Sequence, residues 1–327
     1  MMLARALGLA AGLALAASAL PAQAQTPGAN WPKALTLGTA SVGGTYFVYG
    51  QAWASMVGAK IGVPISTQQT QGPNQNLILV NDKQIELGMV TMGVALQGWE
   101  GKGDWTQGKA RKDFRALFPM YDTPFHHVAL QKSGIKSVAD LKGKTIGVGP
   151  RAGTCGTYFP LIFKALDIDV KIVNGQASDM GTQLADGLIT AFPFCAGLPI
   201  AAFSELDKTQ KVTFFGYTDA ELAKIQKAMP EFSLTSVPKG TYSQQTQDDK
   251  TVGIFNFAII HKDLPDTLAY AIVKAVHENH ADMVKGHAAA KETLPQNVKM
   301  NTFLPFHPGA AKYYKEKGIA IPAKLGG

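Results

Sequence analysis

Short apolar segments alternate with helical patterns in the first third of the chain. The apolar residues at 35–38 predict a buried strand that runs into a glycine-rich loop, and the spacing of the apolar positions after it predicts a helix from Tyr46 to about Lys60. A strand at 63–69, a helix at 74–81 and a strand at 87–91 follow. This order is typical of a parallel sheet covered by helices.

The same order begins again in the second half of the chain. The pattern predicts an extended crossover at 116–131 and then these elements: a strand at 145–149, a Gly/Thr-rich loop at 152–157, a helix through 165, strands at 170–173 and 189–194 with a helix at 180–186 between them, a strand at 252–260, and helices near 268–284 and 310–317. Two α/β lobes joined by crossing strands place a ligand cleft where the carboxyl ends of the strands face each other. We expect lobe I at 33–125 plus 252–327 and lobe II at 133–245.

The first 24 residues have the pattern of a cleaved export signal. Arg5 precedes an apolar run at 6–20, and Pro21 and Ala22-Gln23-Ala24 form a small-residue cleavage site. The alternative is an uncleaved anchor, although the run is short for a membrane span. We therefore expect a protein that acts in the periplasm and is not embedded in the membrane, and export would expose its two cysteines to an oxidising compartment.

Composition excludes several classes of protein. With 327 residues, 46% hydrophobic and 17% charged, the chain can bury a large core and is not a disordered protein. Arg5 is the one charged residue of the predicted signal, so 30 of the 31 basic residues and all 24 acidic residues remain, a formal charge of +6. The basic residues do not form the dense stripe typical of a nucleic-acid-binding surface, so we predict no nucleic-acid partner.

The first glycine-rich loop, 38–45, lacks a required residue of each enzyme motif that it resembles. Gly38 and Gly43 have the spacing of a nucleotide-binding P-loop, but Gly44 occupies the lysine position. Ser41 lacks the first glycine of a serine-hydrolase elbow, because Thr39 occupies that position. A strand-to-helix loop with free N–H groups can instead bind a carboxylate or phosphate. The alternative is a tight turn in which Ser41 or Thr45 caps the helix.

The second loop adds a cation and a thiol to the same arrangement. Arg151 begins it and could pair with a carboxylate in bidentate geometry, or could be a surface residue near a helix start. Cys155 would need a histidine base to act as a nucleophile, and the sequence places none beside it. His277, His280 and His287 lie on one side of a predicted helix but span too long a distance for one ion, so we predict no metal site and no cofactor.

Several segments in order resemble a known family, the TAXI-type solute-binding proteins of tripartite ATP-independent periplasmic (TRAP) transporters. The resemblance covers nearly all of the mature chain and is carried by these segments: Gly38 to Tyr46, Asn76-Leu77, Asp140 to Gly149, Asp186 to Phe192, Gly197-x-Pro199, Pro238 to Tyr242 and His307 to Tyr314. It implies a periplasmic-binding-protein-like fold that closes over a small organic acid. It further implies delivery of that solute to a TRAP permease. Arg151 and the N–H-rich loops favour at least one carboxylate on that solute, which fits glutamate-like amino acids, keto acids and dicarboxylates equally.

The resemblance also assigns ligand contacts to positions of this chain. With the loop residues, the expected set is Ser41, Gly43, Gly44, Thr45, Tyr46, Asn76, Thr91, Met92, Arg151, Gly153, Thr154, Cys155, Gly156, Thr157, Phe194 and Gly197. Cys155 and Cys195 stand where the family would have small residues. The alternative from another class is an exported α/β hydrolase that uses Ser41 or Cys155 as its nucleophile.

The two cysteines follow strands that this winding makes neighbours. Strands 145–149 and 189–194 would lie about 4.8 Å apart, which permits the Cα spacing of a disulfide. We therefore expect either a Cys155–Cys195 disulfide or two separately buried thiols.

Overall fold

A single mixed sheet organises residues 27–326, which are the residues that the structure, a computed structural model, describes. The predicted export signal at 1–24 lies outside them. The strands are β1 (Leu35–Gly38), β2 (Ile65–Gln68), β3 (Leu87–Thr91), β4 (Phe114–Leu130), β5 (Thr145–Val148), β6 (Lys171–Asn174), β7 (Ala191–Cys195), β8 (Val212–Phe215), β9 (Ser233–Val237) and β10 (Asp249–His261). The helices are α1 (Thr45–Ile61), α2 (Pro73–Asn81), α3 (Met92–Glu100), α4 (Thr154–Leu166), α5 (Ala177–Ala185), α6 (Ala201–Thr209), α7 (Asp219–Ala228), α8 (Asp266–Glu278), α9 (His280–Gly286) and α10 (Pro308–Glu316).

The sheet has two halves, which form two lobes. Its order is β2-β1-β3-β10-β4-β7-β5-β6, with β8 paired to β4 and β9 paired to β10. In lobe I, β1 is parallel to β2 and β3, and β10 runs antiparallel to β3. In lobe II, β5 is parallel to β6 and β7. The parallel strands of each lobe therefore direct their carboxyl ends, and the loops that follow them, to one edge of the sheet.

Two long strands connect the lobes. The first part of β4 pairs with β10 as far as Pro124, and the rest of β4, from Phe125, pairs with β7 and β8. Gly253 of β10 is the register partner of Pro124 and also pairs with β9. The chain thus crosses between the lobes through two adjacent strands.

Buried aromatic side chains fill the core on both sides of the crossing. In lobe I, Trp53 of α1 packs edge-on against Phe118 of β4, with ring centroids 5.3 Å apart. In lobe II, Phe125 packs against Phe159 and Phe232 at 5.2 and 5.0 Å. A fully buried aromatic ring contributes a few kcal/mol through apolar burial. The interior therefore holds β4 firmly in each lobe.

Most predicted elements are present within one to three residues of their predicted ends. The predicted helix at 268–284 is wrong as one element, because the chain breaks at Asn279 into α8 and α9. Helix α3 follows β3 directly and was not predicted. Among residues 27–326, no helix is long and apolar enough to cross a membrane. The lobe limits at 33–125, 252–327 and 133–245 stay predictions.

Candidate functional site between the lobes

A small cavity lies between the two lobes, where the strands end. Its lobe I wall combines the loop after β1, the start of α1, the start of α2 and the end of β3. Its lobe II wall combines the loop after β5, the start of α4 and the end of β7. The lining residues are Ala40, Ser41, Gly44, Thr45, Tyr46, Gln71, Gly72, Pro73, Thr91, Thr123, Gly149, Pro150, Gly153, Thr154, Cys155, Phe194, Cys195, Ala196 and Asn256.

Three helices begin at this cavity. The residues that precede them are Gly44 for α1, Gly72 for α2 and Gly153 for α4, and no side chain caps any of these helix starts. The first N–H groups of a helix have no partner within the helix. Because the residues at all three starts line the cavity, the positive ends of the three helix dipoles lie at its wall, and α1 and α4 add N–H groups that have no partner within the helix. At α2, Pro73 has no N–H, and the N–H groups of Gln71 and Gly72 already donate to Gln75 Oε1 and Thr70 Oγ1.

The Ser41 hydroxyl is a further free donor on the lobe I wall. Ser41 is 2% exposed and lines the cavity, and its Oγ has no hydrogen-bond partner among the residues that the structure describes. The alternative in which Ser41 or Thr45 caps α1 is wrong, because the cap residue is Gly44 and its own N–H donates to the Ser41 carbonyl at 3.1 Å. Ser41 therefore lines the cavity without capping α1.

The polar side chains at the base of the cavity hydrogen-bond one another. The Tyr46 hydroxyl donates to Asn256 Oδ1 at 2.6 Å, and Asn256 Nδ2 donates to the Tyr121 carbonyl and to Thr123 Oγ1, each at 2.6 Å. Burial raises the pKa of Tyr46 well above its usual value, so the ring stays neutral. This network fixes the start of α1 against the crossing strands β4 and β10.

Asn76 holds the loop after β1 in place through hydrogen bonds and does not line the cavity. Its side-chain amide donates to the carbonyls of Thr39 and Met89 at 2.9 and 3.0 Å, and its Oδ1 accepts from the Thr70 hydroxyl at 2.7 Å. A buried amide that satisfies three backbone or side-chain partners holds a loop rigidly. The structure thus places Asn76 as a positioning residue for the loop after β1.

Direct hydrogen bonds join the two lobes around the cavity. The Ser178 and Ala202 N–H groups donate to the carbonyls of Val42 and Gly43 at 3.1 and 3.0 Å. Four side-chain contacts add to these bonds: the Thr45 hydroxyl to the Gly197 carbonyl, Thr91 Oγ1 with Thr154 Oγ1 at 3.0 Å, Asn74 with the Thr157 hydroxyl at 3.1 Å, and Gln69 with Gln176 at 3.3 Å. The structure is therefore a closed form, with the lobes in contact.

Two glycines allow this close approach. Gly43 has φ +84°, and a Cβ there would lie 2.8 Å from the Ser178 nitrogen of the other lobe. Gly72 has φ +125°, and a Cβ there would lie 3.0 Å from the Cα of Gly153. Both positions combine a backbone conformation that favours glycine with a contact to the opposite lobe.

The structure contains the Cys155–Cys195 disulfide, which confirms one of the two expected states of these cysteines. Their Cα atoms are 5.6 Å apart, because β5, which precedes Cys155, lies beside β7, which ends at Cys195. The disulfide ties the first turn of α4 to the end of β7 in the cavity wall. Because Cys155 has no thiol in this state, it cannot be the nucleophile of a hydrolase.

Among residues 27–326, no charged side chain lines the cavity, since Asp, Glu, Lys and Arg are all missing from its wall. Arg151 is exposed on the loop before α4 and lies outside the lining, so the structure does not support the predicted carboxylate pair at this residue. The wall is instead built of apolar surfaces, hydroxyls and helix starts.

Nine of the sixteen predicted site residues line the cavity: Ser41, Gly44, Thr45, Tyr46, Thr91, Gly153, Thr154, Cys155 and Phe194. Gly43, Gly197 and Thr157 contact the opposite lobe around it. Met92 of α3 directly follows the lining residue Thr91, and Gly156 of α4 directly follows the lining residue Cys155, but neither of them lines the cavity. A ligand contact for any of the sixteen stays a prediction.

Sequence reasoning missed several lining residues, of which Asn256 is the most informative. It lies in the middle of β10, where every neighbour in the predicted strand at 252–260 except Gly253 is apolar. A buried amide in such a strand is a signal that could have been noted, because buried polar side chains need partners. Gln71 and Pro73 were also not predicted, because only the fold brings the start of α2 to the cavity.

The histidines have structural partners outside the cavity. Buried His126 lies 3.0 Å from Asp249, and buried His127 lies 3.2 Å from the Phe215 carbonyl. His277 contacts the Tyr314 hydroxyl, and His280 contacts the Ala290 carbonyl. The described residues contain no cluster of three or more His, Cys, Asp or Glu side chains arranged for a metal ion.

Solved structures with low sequence identity share this fold. A structure described as a periplasmic transporter matches with a TM-score of 0.55 and 14% identity, over 91% of this chain and 93% of that chain. The P235GK mutant of ArgBP from T. maritima matches with a TM-score of 0.50 and 13% identity, over 80% of this chain and 95% of that chain. These matches confirm the predicted periplasmic-binding-protein-like α/β fold.

The sequence itself also matches one protein family along most of its length. The match covers residues 37–318, which include the three helix starts, both crossing strands and the disulfide. This chain therefore belongs to the NMT1-like family.

Proposed function

We propose that this protein is an extracytoplasmic solute-binding receptor that closes its two lobes over a small carboxylate-containing solute. The observation that carries the proposal is the cavity itself, whose walls come from both lobes while the lobes are joined by two adjacent strands. Such an arrangement buries a solute when the lobes close and exposes it when they open. The starts of α1 and α4 supply N–H donors for an anionic group, and α2 adds the positive end of its dipole.

The finer proposal is that the receptor delivers this solute to a TRAP permease in the membrane. It is supported by the sequence resemblance to TAXI-type receptors and by the export signal predicted at 1–24. Uptake of the solute into proteoliposomes that contain a TRAP permease from the same organism should require this receptor. Uptake that is equal without the receptor would refute the TRAP assignment.

The receptor assignment itself is tested by native mass spectrometry of the mature protein purified from the periplasm. We expect a small solute that is released on denaturation and that rebinds with a decrease in the radius of gyration in solution scattering. Recovery of no solute, together with identical scattering curves in the presence of candidate solutes, would refute the proposal.

An exported hydrolase is the competing assignment, and it now depends on Ser41 alone. Among the described residues that line the cavity there is no histidine to act as a base for this hydroxyl. Turnover of generic ester and amide substrates that is lost in Ser41→Ala would favour the hydrolase over the receptor.

A further inference from the structure

The charge balance of the cavity wall narrows the class of solute. This step rests on the proposed receptor function and concerns the same cavity. A charged group that is removed from water needs an opposite charge or several hydrogen bonds, because burial otherwise strongly disfavours it. The wall therefore limits which charges a bound solute can carry.

The wall offers compensation for negative charge. The positive ends of α1, α2 and α4 meet at the cavity, and each helix start is equivalent to roughly half an elementary charge. Three such starts amount to roughly one and a half elementary charges, which balances one carboxylate but not two. Ser41 also lines the cavity and is 2% exposed, so its neutral hydroxyl adds one hydrogen bond to the same wall.

The wall offers no matching compensation for an ammonium group. Among residues 27–326, no carboxylate lines the cavity. The side-chain acceptors of the lining are neutral: Asn256 Oδ1, which already accepts from the Tyr46 hydroxyl, the Gln71 amide and the Ser and Thr hydroxyls. An amino acid would therefore bury its ammonium group beside the same helix ends that attract its carboxylate, and these ends repel a cation.

A second carboxylate also lacks a partner. With no Lys or Arg in the lining described by the structure, a dianion would exceed the charge that the helix starts can balance. The rest of the wall is apolar and includes the Phe194 ring, Pro73, Pro150, Ala40 and Ala196. This surface suits an aliphatic body.

We infer that the solute is a small organic monocarboxylate with an apolar body and no ammonium group. Its carboxylate would lie against the helix starts and Ser41, and its body against Phe194 and the two prolines. This narrows the wider set of amino acids, keto acids and dicarboxylates that the sequence alone leaves open.

Matched probes test the inference one group at a time. Calorimetry on the mature protein, freed of co-purified solute, compares butanoate with L-2-aminobutanoate, succinate and butanamide, which add an ammonium group, add a carboxylate or remove the charge. A six-carbon set repeats the comparison with 4-methylpentanoate, L-leucine, adipate and 4-methylpentanamide. We expect the monocarboxylate of at least one set to bind at least tenfold more tightly than its three counterparts.

Two serine variants locate the bound carboxylate. The preferred acid is the monocarboxylate that binds most tightly in this comparison. Ser41→Ala should weaken its binding three- to tenfold without changing the melting temperature of the free protein. Ser204→Ala removes a hydroxyl from α6, outside the cavity lining, and should leave the affinity unchanged. Equal affinity in Ser41→Ala and the parent protein would overturn the placement of the carboxylate at this wall.

The remaining outcomes separate this inference from the proposed function. Tighter binding of an amino acid or diacid, or equal binding of an amide, overturns the solute class and leaves the receptor function intact. If no probe binds, the co-purified solute decides: a larger monocarboxylate supports the inference, and any other solute overturns it. Failure to recover or bind any solute overturns the receptor function together with it.

Discussion

Gly43→Ala should hold the lobes apart. The new Cβ would lie 2.8 Å from the Ser178 nitrogen and 3.3 Å from the Ala202 Cβ, and both of these residues belong to the opposite lobe. The clash exists only in the closed form, since opening separates the two lobes. The substitution should therefore act on closure in addition to its effect on the loop.

The size of the effect follows from the contacts that closure makes here. The Ser178 and Ala202 N–H groups donate to the carbonyls of Val42 and Gly43 at 3.1 and 3.0 Å. At about 0.5–1.5 kcal/mol for each hydrogen bond, losing both shifts the balance toward the open form by about 1–3 kcal/mol. That corresponds to a roughly 5- to 150-fold loss of affinity.

Gly134→Ala is the matched control. Gly134 has φ +73°, similar to the +84° of Gly43, but a Cβ there meets nothing within 4 Å. In both variants, alanine in a left-handed backbone conformation costs about 1–2 kcal/mol. Calorimetry with the preferred acid and scattering at saturation should show weaker binding and a larger bound radius of gyration for Gly43→Ala alone. Equal affinities in the two variants would refute the closure argument.

Three further predictions concern pH, the disulfide and Arg151. Burial lowers the pKa of His127 from 6.5 to about 3, so between these pH values the unfolded chain binds a proton that the folded chain does not. The free energy of unfolding from urea titrations should therefore fall as the pH drops through this window, by up to about 1.4 kcal/mol per pH unit for this histidine. In His127→Gln the free energy of unfolding should depend less steeply on pH. An unchanged pH dependence would contradict the burial argument. The Cys155–Cys195 disulfide closes a separation of 40 residues and should stabilise the fold by roughly 3–4 kcal/mol relative to the double serine variant. Alkylation of denatured, unreduced protein should add no mass, and two added alkyl groups would show free thiols. Arg151→Ala should change the affinity for the preferred acid less than threefold, because Arg151 is exposed outside the lining; a tenfold loss would place it in the site.

Local sequence patterns predicted the parts of the site that depend on neighbouring residues. A buried strand followed by glycines and then by a helical pattern defines the loops before α1 and α4, and these loops supply most of the correctly predicted lining. The spacing of β5 and β7 also allowed the disulfide to be predicted as one of two states. These features depend on contacts between elements whose pairing follows from the α/β winding.

Contacts between distant segments could not be predicted in this way. Tyr46 and Asn256 are 210 residues apart, and only the pairing of β10 with β3 and β4 brings them together. Arg151 was placed in the site because it adjoins a lining loop, but the direction of its side chain depends on the backbone of that loop. The break between α8 and α9 was not predicted, because the apolar spacing continues across Asn279.

The hydrogen bonds between the lobes mean that a solute does not supply all of the energy of closure. Donors on lobe II, such as the Ser178 and Ala202 N–H groups, reach acceptors on lobe I without any solute atom between them. Such contacts give the empty receptor a closed population of its own, and a solute then adds to that population. A membrane partner that recognises only lobe closure would dock empty receptors as well as loaded ones. Efficient delivery therefore requires that the partner sense occupancy, or that loaded receptors greatly outnumber empty closed ones.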